Sequence, residues 1–314
     1  KSSRALSDKD LIENDSDIAI IYAQLDFSED CQIKLFRRGA KQIYVNDKLL
    51  KRQNNIKNFA RSVCFNSSDI NIVKGEPSGR RIWLDKVVTQ LEPVYGELLS
   101  RFNKLLKQRS HFWRSDISKQ KDYYSLLDSF DSQMALLGTR IYRRRRRALN
   151  KLSPFIQYWQ NKLSKSRENI KSNYISSIQT MDNNEDDEAA IMAELNTKLL
   201  NQRDLEVMTG KCSVGPHRDD IEFLINDISV RKYGSSGQQR TITLALKMAE
   251  LDLLRKILVM DPILVLDDVL AELDIVRQNL LLEAVGNESQ CFISATHLDK
   301  FSDEFLKTSQ IVYL

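Results

Sequence analysis

Tyr233-Gly234-Ser235-Ser236-Gly237-Gln238-Gln239-Arg240 opens a long apolar segment, and Pro262-Ile263-Leu264-Val265-Leu266-Asp267-Asp268 follows it. The first stretch predicts a helix start. Ser235, Ser236 and Gly237 precede a helical pattern whose apolar positions recur through Ile242, Leu246, Ala249, Leu253 and Ile257. Hydroxyls and unpaired backbone N–H groups therefore gather at one helix N-terminus, where anions are favoured. The second stretch predicts a strand buried on both faces, because Ile263 to Leu266 is short, branched and uninterrupted by polar residues. Two carboxylates at its C-terminal end can hold Mg²⁺ and orient water. A serine helix cap and an acidic turn are the ordinary readings of each piece alone. Their order, with a helix and then a strand between them, reads as half of an ATP site.

Other segments join this pair. Asp69-Ile70-Asn71-Ile72-Val73-Lys74-Gly75-Glu76-Pro77-Ser78-Gly79-Arg80-Arg81 lies upstream, Val214-Gly215-Pro216-His217-Arg218-Asp219-Asp220 precedes the serine helix, and Leu270-Ala271-Glu272-Leu273-Asp274 follows the acidic strand end. Taken together these segments resemble the ABC-type ATPases and, within them, the RecF family, and they span most of the chain. The resemblance implies an α/β head, with a mixed sheet, a β-meander and flanking helices, that carries an inserted helical arm. Residues 1–86 and 206–314 would form the discontinuous head, and 87–205 the arm.

The same resemblance implies roles. Ser235, Ser236, Gly237 and Gln238 match the signature that reaches ATP held by a second protomer. Asp267 takes the magnesium-associated place and Asp268 the place of the water-activating carboxylate; Asp274 ends the D-loop and His297 stands where the switch histidine does. Implied with them are ATP and Mg²⁺, an ATP-dependent homodimer, double-stranded and gapped DNA, the partners RecR and RecO, and RecA loading at single-strand gaps and stalled forks. A slow DNA-stimulated ATPase is expected when a P-loop is present. Two departures stand out. No Gly-x-x-x-x-Gly-Lys-Ser/Thr occurs, since Gly210-Lys211 has Leu205 and Cys212 at the other two positions. The expectation is a chain without its N-terminal P-loop segment, inactive by itself. The glutamine-loop region, Phe65-Asn66-Ser67-Ser68-Asp69, has no glutamine, which leaves Asp69 as a candidate for its work.

Composition sets the remaining bounds. With 42% hydrophobic and 29% charged residues, 314 residues can bury one large core or two smaller ones. There is no apolar run of membrane-spanning length and no signal-peptide pattern, so a cytoplasmic protein is expected, and the resemblance implies association with the nucleoid. Cys31, Cys64, Cys212 and Cys291 lack metal-ligand spacing and read as reduced thiols. Alternation from about Asp17 to Val45, with a turn at Arg38-Gly39-Ala40, predicts the meander. From about Leu84 to Val207 only Pro93, Gly96, Gly138 and Pro154 interrupt helical spacing. The acidic stretch Asp182 to Glu188 reads as a loop, and Gly210 as a helix cap.

Arg143, Arg144, Arg145, Arg146 and Arg147 are consecutive on a predicted helix. Five successive residues cover every side of a helix, so some face water or a phosphate backbone. A solvated helix face is the plain alternative to DNA contact. Gly215-Pro216 marks a turn in which Arg218, Asp219 and Asp220 can pair or cap, a structural assignment at least as good as a catalytic one. Two other classes compete with a DNA clamp: an SMC-like structural head acting through protein partners, and a transporter ATPase subunit. The arginine run and the Gly-Pro-His-Arg-Asp-Asp segment count against the transporter.

Overall fold

A computed structural model describes residues 7–25, 29–51, 56, 61–114, 123–165, 168–178, 187–258, 261–270, 273–285, 290–298, 301 and 303–313. The chain divides into two compact units, Lys1–Arg61 and Ser62–Leu314.

In the first unit, β1 (Ile18–Leu25), β2 (Glu29–Phe36), β3 (Gln42–Val45) and β4 (Lys48–Leu49) form an antiparallel sheet in sequence order. This is the meander that the alternation predicts. Cys31, Ile43 and Val45 are buried at its centre. Gly39 has φ +113 in the β2–β3 turn, a conformation glycine adopts without the penalty of a Cβ.

The second unit begins with β5 (Ser62–Asn66), α1 (Ile70–Lys74), α2 (Pro77–Leu91), α3 (Val94–Arg114) and α4 (Tyr123–Ser164). It continues through β6 (Ile170–Ile175), α5 (Glu188–Asn201), α6 (Arg203–Thr209), β7 (Asp220–Ile225), β8 (Ile228–Ser229) and α7 (Val230–Tyr233). It closes with α8 (Ser236–Ile257), β9 (Ile263–Asp267), α9 (Ile275–Val285), β10 (Cys291–Ser294) and α10 (Asp303–Lys307). Two three-stranded sheets result, one parallel in the order β10-β9-β5 and one antiparallel in the order β6-β7-β8.

The core is organised around α8, which is buried without interruption from Thr241 to Leu251. A helix apolar all round belongs in an interior. Its two buried threonines satisfy their hydroxyls locally: Thr241 Oγ1 donates to the Gly237 carbonyl at 2.8 Å and Thr243 Oγ1 to that of Gln239 at 2.8 Å. The buried Lys247 ammonium donates to Glu250 at 2.9 Å. Burial opposes its charge, but Glu250 and Asp69 hold it protonated. Ile257, expected on the apolar face, is instead 43% exposed at the helix end.

Three features of the middle segment differ from the sequence reading. β6 interrupts the expected all-helical stretch and pairs antiparallel with β7, its Ile170 and Tyr174 facing inward between polar neighbours. Pro154 does not end a helix: α4 continues through it for 42 residues, roughly 63 Å at 1.5 Å per residue. Gly138, also read as a breaker, is a contact point, since a Cβ there would lie 3.3 Å from both Leu195 and Pro216. Of the acidic stretch, 182–186 lie outside the described residues; Asp187 caps α5 and Glu188 is its first residue. Gly210 ends α6 in the left-handed conformation at φ 62, as its position predicts.

Candidate nucleotide site and the networks behind it

Register in the parallel sheet places three residues side by side at the C-terminal edge, with Asn66 of β5 and Ser294 of β10 flanking Asp267 of β9. Ligands of open α/β sheets bind at this edge. Each strand hands over to a segment that the sequence singled out. After β5, Asn66 and Asp69 cap each other: Asn66 N donates to Asp69 Oδ2 at 2.9 Å, and Ser68 N to Asn66 Oδ1 at 2.9 Å. After β9, Asp268 turns into the left-handed region at φ 57. Its N–H donates to Ser294 Oγ at 3.0 Å, and that hydroxyl donates to Asp267 Oδ1 at 2.9 Å. After β10, His297 lies exposed in the loop.

Ser294 is the residue that sequence reading left without a role, although it ties both acidic residues to the neighbouring strand. Only the strand register reveals it. Among the described residues no group of three or more His, Cys, Asp or Glu side chains is placed to hold a metal. One or two carboxylates at a strand end suit a Mg²⁺ whose other ligands are water and phosphate.

The helix start reads differently. Ser235 Oγ accepts from Gln238 N at 3.2 Å while Gln238 Oε1 accepts from Ser235 N at 2.9 Å, a reciprocal capping box. Ser235, Ser236 and Gly237 are exposed. Gln238 then donates through Nε2 to Glu168 Oε1 at 2.7 Å, and the other oxygen of that carboxylate accepts from Gln160 Nε2 of α4 at 2.8 Å. Glu168 had no sequence signal at all. Lys247, eleven residues beyond Ser236 and about 16 Å further along α8, lies in the field of Asp69.

Asp274 precedes α9 and caps it: Oδ1 accepts from Arg277 N at 3.0 Å, and that hydrogen bond, with the Arg277 guanidinium, holds its carboxyl below the usual range. Arg277 Nη2 also donates to Thr241 Oγ1 at 2.7 Å, which connects α9 to the serine helix. Ala271 and Glu272 lie outside the described residues.

No family model matches the chain. Individual proteins do. The chain is 44% identical over 312 residues to the DNA replication and repair protein RecF of Synechococcus sp. (strain CC9605), an overlap of 99% of this chain and 85% of the relative. Against the RecF of Nostoc punctiforme it is 39% identical over 320 residues, covering 100% and 84%. The chain belongs to the RecF family. Among solved structures, the recombination mediator protein RecF described as RecF-ATPrS in the RecFOR pathway superposes with a TM-score of 0.86 at 29% identity, over 96% of this chain and 81% of that one. A second, described as RecF-ATP, gives 0.85 at 29% identity, over 95% and 80%. The ABC-type head expected from the sequence is the fold found.

In this RecF-family chain the Gly-Pro-His-Arg-Asp-Asp segment is a structural hub. Gly215 has φ +125, and a Cβ there would stand 3.3 Å from His217 Nδ1. Arg80 grips Asp220 with two hydrogen bonds of 2.6 and 2.9 Å. Arg81 donates to the Asp219 carbonyl at 2.7 Å, and the Asp219 carboxylate accepts from Tyr174 at 2.6 Å. Burial pushes Asp219 up, against the opposing pull of Tyr174 and Arg145. Arg218 donates to the Cys212 carbonyl from both Nε and Nη2. Burial lowers His217 to about 4, aided by the nearby Arg218, Arg81 and Arg109.

The arginine run is drawn into the same fold. Arg145, 3% exposed, donates to both Asp85 oxygens at 2.8 and 2.9 Å, and to the Pro216 carbonyl at 2.6 Å. Burial opposes its charge, while Tyr174, Asp85 and Tyr95 keep it firmly protonated. Arg145 is therefore turned inward and is not available to a phosphate backbone. Arg143 pairs with Glu188, Arg144 with Glu92 at 2.9 Å, and Arg146 lies over the Tyr142 ring at 5.6 Å. Arg147, 49% exposed, stands 4.0 Å from Glu92. All four cysteines are free thiols, two of them, Cys31 and Cys212, buried.

Proposed function

We propose that this chain is the nucleotide-responsive, DNA-binding portion of a RecF-type recombination mediator, with 1–86 and 206–314 acting as head and 87–205 as arm. The observation that carries the reading is the strand register, which lines up Asn66, Asp267 and Ser294 at the strand ends that lead into Asp69, Asp268 and His297. In this reading Asp267 holds the magnesium ion that accompanies ATP, and Asp268 takes a proton from the attacking water. His297 would serve at the terminal phosphate. Ser235, Ser236, Gly237 and Gln238 meet ATP held by a second copy, so that ATP joins two heads, and Asp274 crosses at the same joint.

ATP, when bound, would supply the phosphates that join the two heads, and the residues above would hold the metal ion, orient water or receive a proton. The nearby RecF structures are described with ATP or an ATP analogue, which supports nucleotide binding by this chain. By family membership the closed dimer sits on double-stranded or gapped DNA and works with RecO and RecR to place RecA. Among the described residues no helix is long and apolar enough to cross a membrane.

The lysine-bearing phosphate cradle has no match in these residues, so the test uses a chain joined to the P-loop segment of a relative. Sedimentation with ATP should show a dimer for that parent. Its Ser235→Arg variant should still bind nucleotide but stay monomeric, because the bulky cation replaces the serine at the shared site. Normal dimerisation of Ser235→Arg refutes the shared-site reading.

A further inference from the structure

The outward face of α3 is the surface that the reading so far leaves unused. Its 21 residues contain one acidic side chain, Glu97, against Arg101, Lys104, Lys107, Arg109 and Arg114. Arg109 is turned inward, fully buried and paired with Asp131 and Glu206. Arg101, Lys104 and Lys107, by contrast, are exposed and make no ion pair among the described residues. His111 is exposed one turn further on. Positions 101, 104, 107 and 111 follow the three-and-four spacing of a single helix face. Phe102, Leu105 and Phe112 occupy the opposite, buried face. A groove of about 480 Å³ runs along the strip, lined by Gly96, Leu99, Ser100, Asn103, Lys104 and Lys107.

This is the reverse of the arginine run, where each guanidinium already meets a carboxylate, a carbonyl or a ring. We infer that the outer face of α3 is a docking strip for the sugar-phosphate backbone of duplex nucleic acid, with Arg101, Lys104 and Lys107 neutralising phosphates and Ser100 and Asn103 hydrogen bonding to them. The proposal deepens the DNA-binding reading above and rests on it.

Charge and shape favour a duplex over the other occupants. The ten steps from Arg101 to His111 span about 15 Å of rigid helix. That length matches roughly four phosphates of one strand at 3.4 Å each. Unpaired bases are held by stacking on aromatic rings. The aromatic residues of α3 that are described, Tyr95, Phe102, Phe112 and Trp113, are all buried. A protein partner generally needs an apolar centre, and Leu99 is the one apolar residue lining the groove.

The test measures duplex binding with ATP by the chain joined to the P-loop segment of a relative, by fluorescence anisotropy over a sodium chloride series. The variants are Lys104→Ala/Lys107→Ala, Lys104→Arg/Lys107→Arg, and Arg143→Ala/Arg147→Ala. Loss of two phosphate contacts should flatten the slope of log affinity against log salt by about 1.8. Affinity at low salt should fall at least tenfold. The arginine replacement should keep both, and the α4 variant should change the slope by less than half as much. Exposed positions leave folding intact, which a melting curve checks.

Binding by the parent with an unchanged slope in Lys104→Ala/Lys107→Ala overturns the α3 strip and leaves DNA binding standing. No duplex binding by the parent overturns both. If polyglutamate displaces the parent's bound duplex as readily as unlabelled duplex does, the strip reads negative charge alone and an acidic protein is its occupant, which also overturns the proposal.

Discussion

Arg145→Ala is the substitution whose effect the structure sizes most directly. The wild-type guanidinium is 3% exposed and makes two hydrogen bonds to Asp85, one to the Pro216 carbonyl and one to Tyr95 Oη at 3.2 Å. Its removal leaves the Asp85 carboxylate, only 14% exposed, without its counter-charge, and strips a buried carbonyl of its donor. Breaking a buried pair from one side costs about 3–5 kcal/mol. For a chain of this size that lowers Tm by roughly 5–8 °C. Arg147→Ala, two residues along the same helix, removes a half-exposed side chain 4.0 Å from Glu92 and should cost about 0.5 kcal/mol or less.

The assay is thermal and urea unfolding of both variants beside the parent. A third variant, Arg145→Met/Asp85→Leu, should recover much of the loss, because it takes out both charges and refills the space. Arg145→Ala melting within a degree or two of Arg147→Ala would refute the hub. So would the double replacement being worse than the single one, since that would make the pair a net source of stability rather than a mutual necessity.

His217 gives a pH limb. Its folded value of about 4 lies below the ordinary 6.5, so the unfolded chain takes up the proton first, and stability is lost as pH falls from about 6.5 towards 4, by about 3 kcal/mol in all. His217→Phe should flatten that part of the stability curve in urea titrations at stepped pH. Gly215→Ala should cost about 1–3 kcal/mol, because it puts an alanine at φ +125 and its methyl against His217, and a shift in the urea midpoint measures this. In the chain supplied with a P-loop, Asp268→Asn should retain nucleotide and the dimer yet lose most turnover, as an amide cannot accept the proton. Asparagine tolerates the left-handed backbone found there, so an unfolded variant would signal a different role for the carboxylate.

The order of elements was legible where the chemistry is local. Alternation from Ile18 to Val45 gives the meander, and the apolar run from Ile263 to Leu266, ending in two aspartates, gives the central parallel strand. Ser235 and Gln238 announce a capped helix by spacing alone. What was not legible depends on partners far apart in sequence. Arg145 looks like Arg143 or Arg147 until Asp85, 60 residues upstream, and Pro216, 71 residues downstream, close around it. β6 was missed because its six residues carry a strand's alternation only faintly, and pairing with β7 supplies the rest. Pro154 looked like a helix end because packing against the rest of the fold cannot be read from one residue type. Ser294 and Glu168 carry no signal by composition, and their importance is purely one of position.

The Glu168 carboxylate has a consequence for how the two halves of the chain can communicate. It has two oxygens and two amide clients, Gln238 at the mouth of α8 and Gln160, fully buried near the C-terminal end of α4. A ligand that draws Gln238 outward must either break that grip or pull the carboxylate with it. In the second case Gln160 is left holding an unanswered N–H inside the core. A helix some 60 Å long is thus latched to the turn that, in the proposed dimer, would meet a neighbouring molecule's nucleotide. The latch consists of a single side chain with one more claim on it than it can satisfy once the turn shifts.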